Sequence, residues 1–168
     1  NNKKGIKMKD IYKNVTKGHL IVECLDYDKN VIDRYENKNL IMNTSRVAMA
    51  EILCGLGTSD PISKFVLGTD GHVTGDYLTP KTEASGFVSS RTKLFSEELS
   101  SFNYPIEFTN PGVSDGPCTI VSEPDNGSLV SLLHTGSDVQ YTIEIPELAA
   151  NNMGVVVYTE AALYAGGN

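Results

Sequence analysis

The chain offers few side chains with the chemistry for catalysis or metal binding. Its only histidines are His19, His72 and His134. None has a second ligand-type residue at the spacing of a metal site or a nucleophilic triad. Asp26, Asp28 and Asn30 begin like a calcium loop. An EF-hand also needs glycine at its sixth position and a bidentate glutamate at its twelfth, where this chain has Val31 and Asn37. A hairpin turn accounts for the three residues instead. Gly55-Leu56-Gly57-Thr58 is glycine-rich, but it follows a helical pattern and lacks the Gly-Lys-Ser/Thr end of a phosphate-binding loop. Glu97 and Glu98, with Glu107, could be drawn as a glycosidase pair, which needs carboxylates roughly 5–10 Å apart across a sugar cleft. They read as solvated loop charges. The absence of tryptophan and an aromatic content of 8% weaken a sugar platform further. Cys24, Cys54 and Cys118 are odd in number, far apart, and form no CxxC pair. Cys24 and Cys54 lie in apolar runs, so both are expected as buried thiols acting as small hydrophobes. Whether any two cysteines bridge stays open. Sequons at Asn14, Asn43 and Asn126 carry little weight, because the N-terminal stretch has no apolar signal core.

Most of these residues therefore belong to elements that build a surface. The chain has 168 residues, 40% hydrophobic and 21% charged, enough for one domain or one domain plus an arm. The longest apolar run is three to five residues, too short for a membrane-spanning helix. The net charge of −7 is unevenly spread. Residues 1–17 hold six lysines against Asp10, about +5, and residues 18–168 hold 8 basic and 20 acidic groups, about −12. The pattern predicts a basic arm over 1–17 and an acidic body over 18–168. The body's field would repel a phosphate backbone, so direct reading of nucleic acid is not expected.

Within the body, His19–Leu25 and Val31–Glu36 are β-prone and flank a turn at 26–30, which predicts a hairpin. Met49, Ile52, Leu53 and Leu56 follow the helical i, i+3, i+4, i+7 spacing. Asn43, Thr44 or Ser45 is expected to cap that helix, and Gly55 and Gly57 to stop it. Ile62–Leu67 reads as a strand, and 68–83 as a long surface loop. Further short strands are expected near Gly86–Phe95, Phe102–Phe108, Cys118–Val121, Ser128–Leu133, Val139–Ile145 and Val155–Tyr158. Val139, Tyr141, Ile143 and Ile145 form the clearest alternating face. Short strands punctuated by turns predict a mainly β fold, an antiparallel β-sandwich of jelly-roll or Ig-like kind, with one short helix near 44–55.

One ordered set of segments goes further. The hairpin leads into Asn39-Leu40-Ile41-Met42-Asn43-Thr44-Ser45-Arg46. A short helix follows, then Ile62-Ser63-Lys64-Phe65-Val66-Leu67-Gly68-Thr69-Asp70-Gly71. Late in the chain come Val139–Ile145 and Tyr158-Thr159-Glu160-Ala161-Ala162-Leu163-Tyr164. Over roughly 19–165 this order resembles a group of tailed-bacteriophage virion proteins. They carry N-L-(V/I)-(V/T)-N-T-(G/S)-R, a short helix, I-x-x-(M/I/F)-x-(L/V)-G-(T/S)-G, and a late (Y/S)-E-A-(A/G)-L-(F/Y). The chain departs from them around Thr159-Glu160-Ala161-Ala162, where relatives often read Glu-Ala-Gly. Relatives often continue with a tryptophan-containing strand, whereas this sequence ends at Ala165-Gly166-Gly167-Asn168; either a tail is missing from it or this member is shorter.

The resemblance implies a non-enzymatic structural subunit of a virion, assembled in the host cytoplasm, forming a ring or sheath at the neck, collar or tail. Its partners would be copies of itself and neighbouring portal, connector, tail or sheath subunits. It implies no catalytic, cofactor-binding or metal-binding residue, no membrane partner and no small-molecule substrate. The competing expectation is a carbohydrate- or receptor-binding sandwich module of a tail fibre or baseplate, using loop 68–83.

Overall fold

The computed structural model describes residues 17–56, 60–98, 103–108, 119–122, 128–135, 138–146 and 156–166. The basic arm, apart from Lys17, lies outside the described residues, as does Cys118. The described chain is mainly β, built from small antiparallel sheets.

Strands β1 (Gly18–Leu25) and β2 (Val31–Asn39) form a two-stranded hairpin. Asp26 closes its turn: the Asp26 carboxylate accepts the Asn30 backbone N–H at 2.8 Å and the Asn30 side-chain amide at 3.0 Å. Lys29 takes the left-handed conformation at φ 65°. A β-bulge between Cys24 and Leu25 shifts the register near the tip.

Helix α1 runs Asn43–Leu53 and follows Met42 in extended conformation. The expected side-chain cap is absent, because Asn43, Thr44 and Ser45 are already inside the first turn. The Asn43 N–H instead donates to the Ser89 carbonyl at 2.8 Å, so another loop satisfies one orphan donor. Gly55, at φ 71°, follows the helix as the pattern predicted.

Strand β3 (Ile62–Gly68) is the centre of a three-stranded sheet ordered β10-β3-β6, with β6 at Asn103–Glu107 and β10 at Glu160–Ala165. Pro105, which has no N–H to donate, faces Val66 from the edge strand β6, where one side needs no partner. A second three-stranded sheet is ordered β7 (Thr119–Ser122), β8 (Leu129–Thr135), β9 (Asp138–Glu144). Tyr104, Ile106, Phe108 and Val130 form the buried cluster, and Tyr141, Ile143 and Ile145 pack against it. Val139, expected on the same face, is exposed instead.

Three sequence expectations are corrected. The stretch 68–83 is not an unbroken loop: β4 (His72–Val73) and β5 (Asp76–Pro80) pair across Thr74-Gly75. Gly75, at φ 84°, supplies the left-handed turn residue. The 86–95 stretch is not a strand; a 3-10 turn at Glu83–Ser85 leads through irregular backbone to a four-residue helix, α2 (Phe95–Glu98). The last strand lies at Glu160–Ala165 rather than 155–158, because its pairing with β3 begins at Glu160↔Gly68.

Candidate functional site

The densest polar cluster sits where the root of the β4–β5 excursion, the start of α2 and β10 meet. Glu160 projects from β10, and its Oε2 accepts the Phe95 N–H at 2.9 Å. Its Oε1 accepts the Ser96 N–H at 2.8 Å and, more weakly, the Asp70 N–H at 3.3 Å. One strand carboxylate thus caps the helical turn that follows Leu94 and ties it to β3. The approach is close enough to exclude a side chain at Gly68, whose Cβ would lie 2.6 Å from Glu160 Oε1. This is the physical reason for glycine there, in Gly68-Thr69-Asp70-Gly71.

A second carboxylate repeats the pattern. Glu97 Oε2 accepts the Leu94 N–H at 3.0 Å and the Tyr164 hydroxyl at 2.7 Å. Burial and that hydrogen bond to Glu97 push the Tyr164 phenol well above its ordinary value. Glu97 is therefore a structural acceptor and not the solvated loop charge expected from sequence. Glu98 shares its helix, and Glu107 is exposed on β6 with Lys64 at 3.4 Å. The Glu98 side chain lies outside the described residues, and Glu97 and Glu107 do not form a carboxylate pair.

Lys81 closes the excursion. Its Nζ donates to Asp70 Oδ2 at 2.8 Å, and its backbone N–H donates to the Gly71 carbonyl at 2.9 Å. Both charged groups are largely shielded, with side-chain exposures of 15% and 23%. The Lys81 ammonium and the Arg91 guanidinium also lie against the Phe95 ring, at 4.0 and 3.6 Å from its centroid. Thr159 completes the root: its Oγ1 accepts the Gly71 N–H at 3.0 Å and lies 3.0 Å from His72 Nδ1. His72 is thereby a turn-filling residue, packed on Tyr77.

This constellation can anchor: both Glu160 oxygens accept backbone N–H groups, and Glu97 Oε2 accepts the Leu94 N–H and the Tyr164 hydroxyl. Sequence reasoning did not find Glu160, Asp70, Lys81, Arg91 or Phe95. The signal was an acid among small and apolar residues in Glu160-Ala161-Ala162-Leu163, on a strand whose neighbour offers Gly68.

The remaining candidates are scattered. His19 pairs with Glu36 at 2.9 Å on the hairpin surface. His134 lies on β8, its side chain outside the described residues. Asp26 is the turn acceptor above, and Asn30 holds its carboxyl below the ordinary carboxylate value. Cys24 and Cys54 are free and exposed, which corrects the expectation of buried thiols. Their apolar neighbours are exposed too, so the apolar runs that suggested burial are themselves surface. Among the described residues, no group of three or more His, Cys, Asp or Glu side chains is placed to hold a metal ion. Comparison with protein-family models, with curated proteins and with solved structures finds no match to this chain.

Proposed function

We propose that the chain is a structural subunit of a bacteriophage virion, a β-sandwich that assembles through subunit contacts into a ring or sheath at the neck, collar or tail. One observation carries this reading: apolar surface is left uncovered on elements that need cover. A two-stranded hairpin is at best marginally stable alone in water. Here β1–β2 has no third strand among the described residues, and Val22, Tyr35 and Ile32 are 47%, 54% and 69% exposed. Helix α1 buries no residue, and Ile52, Leu53 and Leu56 face solvent. Extended apolar patches of this kind mark interaction surfaces.

The sandwich assignment rests on the two three-stranded sheets contributing to one apolar cluster. The proposal assigns Glu160 and Glu97 to anchoring because both Glu160 oxygens and Glu97 Oε2 are engaged within the fold. The sequence resemblance supplies the virion context. Sedimentation and negative-stain imaging of the purified protein, with mass spectrometry of virions, test the reading. Closed rings or sheaths and presence in particles are expected; a strict monomer absent from virions refutes it.

A second reading has one observation in its favour. The β4–β5 excursion projects Tyr77 and Leu78, the latter 92% exposed. A receptor-binding tip would use such a loop. Glycan-array binding that disappears on deleting 74–77 would favour it over the ring.

A further inference from the structure

The β1–β2 register separates the hairpin into two unlike faces. Glu23↔Arg34 and Ile21↔Glu36 put one set of charges together. Arg34 bridges Glu23 and Glu36, both at 3.2 Å, and His19 meets Glu36. That face carries the hairpin's ion pairs, with Ile21 beside them. Val22↔Tyr35 and Cys24↔Asp33 occupy the opposite face, continued by Leu20↔Asn37. Its polar group Asn37 is engaged with the Tyr35 hydroxyl at 2.9 Å. Asp33 is the one ionisable acid on this apolar face, and it has no ion pair among the described residues.

Helix α1 is the other uncovered element. Ala48 and Met49 are half-buried, and the stripe they begin runs on to Ile52, Leu53 and Leu56, which are 59%, 68% and 64% exposed. The C-terminal end of the helix thus presents an exposed apolar patch. Arg46 lies seven residues before Leu53, on the same helical row. It too is exposed and has no ion pair among the described residues.

We propose that the Val22–Tyr35 face of the hairpin seats on the α1 patch of a second copy of this chain, with Asp33 opposite Arg46 of that copy. This rests on the reading of the chain as an assembling subunit. Among the described residues each chain exposes one apolar face carrying Asp33 and one apolar patch carrying Arg46, so a head-to-tail contact covers both and pairs their charges. Two packed hairpin faces would instead bring Asp33 against its own image. A contact between unlike surfaces repeats around a ring, each subunit giving its hairpin to one neighbour and its helix to the other. An eight-residue hairpin face offers roughly 250 Å² at strand spacing. A stable pairwise interface needs about 800 Å² per partner. The contact is therefore one component of a closed assembly rather than a free-standing dimer.

The protein supplies its own probes, because Cys24 lies on the hairpin face and Cys54 directly follows Leu53. In the full chain carrying Cys118→Ser, Cys24→Ser and Cys54→Ser variants are treated with a short bismaleimide, separately and mixed. The expected result is a crosslinked dimer in the mixture and none in either variant alone. A dimer in Cys54→Ser alone, which joins Cys24 to Cys24, overturns the head-to-tail geometry; so does an uncrosslinked mixture. Independently, Asp33→Arg and Arg46→Asp should each weaken assembly about tenfold or more by sedimentation, a ratio worth about 1.4 kcal/mol. The double exchange should restore it, and failure to restore overturns the pairing. Circular dichroism confirms that each variant is folded. Wild-type rings that neither crosslink nor respond to the exchanges sink this inference and leave the assembly reading intact. A wild-type monomer at every concentration sinks both.

Discussion

Replacing Glu160 tests whether the site is an anchor. In Glu160→Ala the N–H groups of Phe95 and Ser96 lose their acceptors at 2.9 and 2.8 Å, while the 3.3 Å bond from Asp70 is too long to add much. A hydrogen bond to a charged group contributes about 1.5–3 kcal/mol. Glu160 is only half-buried and water can reach the gap, so the lower figure applies to each bond, a loss of about 3 kcal/mol. For a chain of this size each kcal/mol moves the melting temperature by about 2–4 °C, so the drop should be about 6–12 °C. Glu160→Gln keeps the shape and one acceptor oxygen, and its drop should be about half as large. Thermal unfolding followed by circular dichroism reads both. Melting within 1 °C of wild type for both variants would show that the backbone donors need no carboxylate, and the anchoring argument would fail.

Other consequences are independently measurable. Lys81→Met leaves Asp70 shielded without its cation, costing about 2–3 kcal/mol after allowance for partial exposure. Hydrogen exchange should then quicken at Gly71 and Lys81, and unchanged protection would refute the clasp. Removing residues 1–17 should weaken assembly more at low salt than at high salt, because screening already weakens lysine contacts at high ionic strength. An equal effect in sedimentation at both salts would refute a charge-based arm. The Asp26 carboxyl is depressed below 3.8, so its hold on the hairpin turn is full above that value and is lost as pH falls through its lowered one. NMR titration should place its midpoint below 3.8, and a midpoint at or above that value would refute the turn geometry. The Tyr164 phenol is raised above 10.0, so its contribution is whole below about pH 10 and declines as pH climbs beyond. Tyrosinate absorbance should show one phenol fewer titrating after Tyr164→Phe only at the most alkaline end.

The parts of the fold readable from sequence were those governed by local chemistry. The Asp26–Asn30 turn, the β-prone run of β3, the alternation from Tyr141 in β9 and the helical spacing from Met49 each depend on residues a few positions apart. The boundary failures have a common cause in distant partners. The 86–95 stretch has the β-prone residues Phe87 and Val88, but α2 begins where Glu160, 65 residues later, supplies acceptors for its N–H groups. Asn43 looked like a cap until the Ser89 carbonyl took its N–H. Apolar neighbours usually signal burial, but those of Cys24 and Cys54 are on the outside. The anchor itself was illegible because its members lie in four separate segments and none follows a catalytic or metal-binding pattern.

The clasp at the root of β4–β5 fixes where the excursion leaves the frame while making few demands on what it carries. Asp70 and Lys81 are joined at the base, Gly71 and Thr159 lock the exit, and Tyr77 and Leu78 at the far end touch mostly solvent. Such a mount separates two selective pressures. Sequence at the base is constrained by close packing, whereas sequence at the crest can drift, lengthen or be exchanged without disturbing the sheet below, making it the natural port for grafting a foreign peptide.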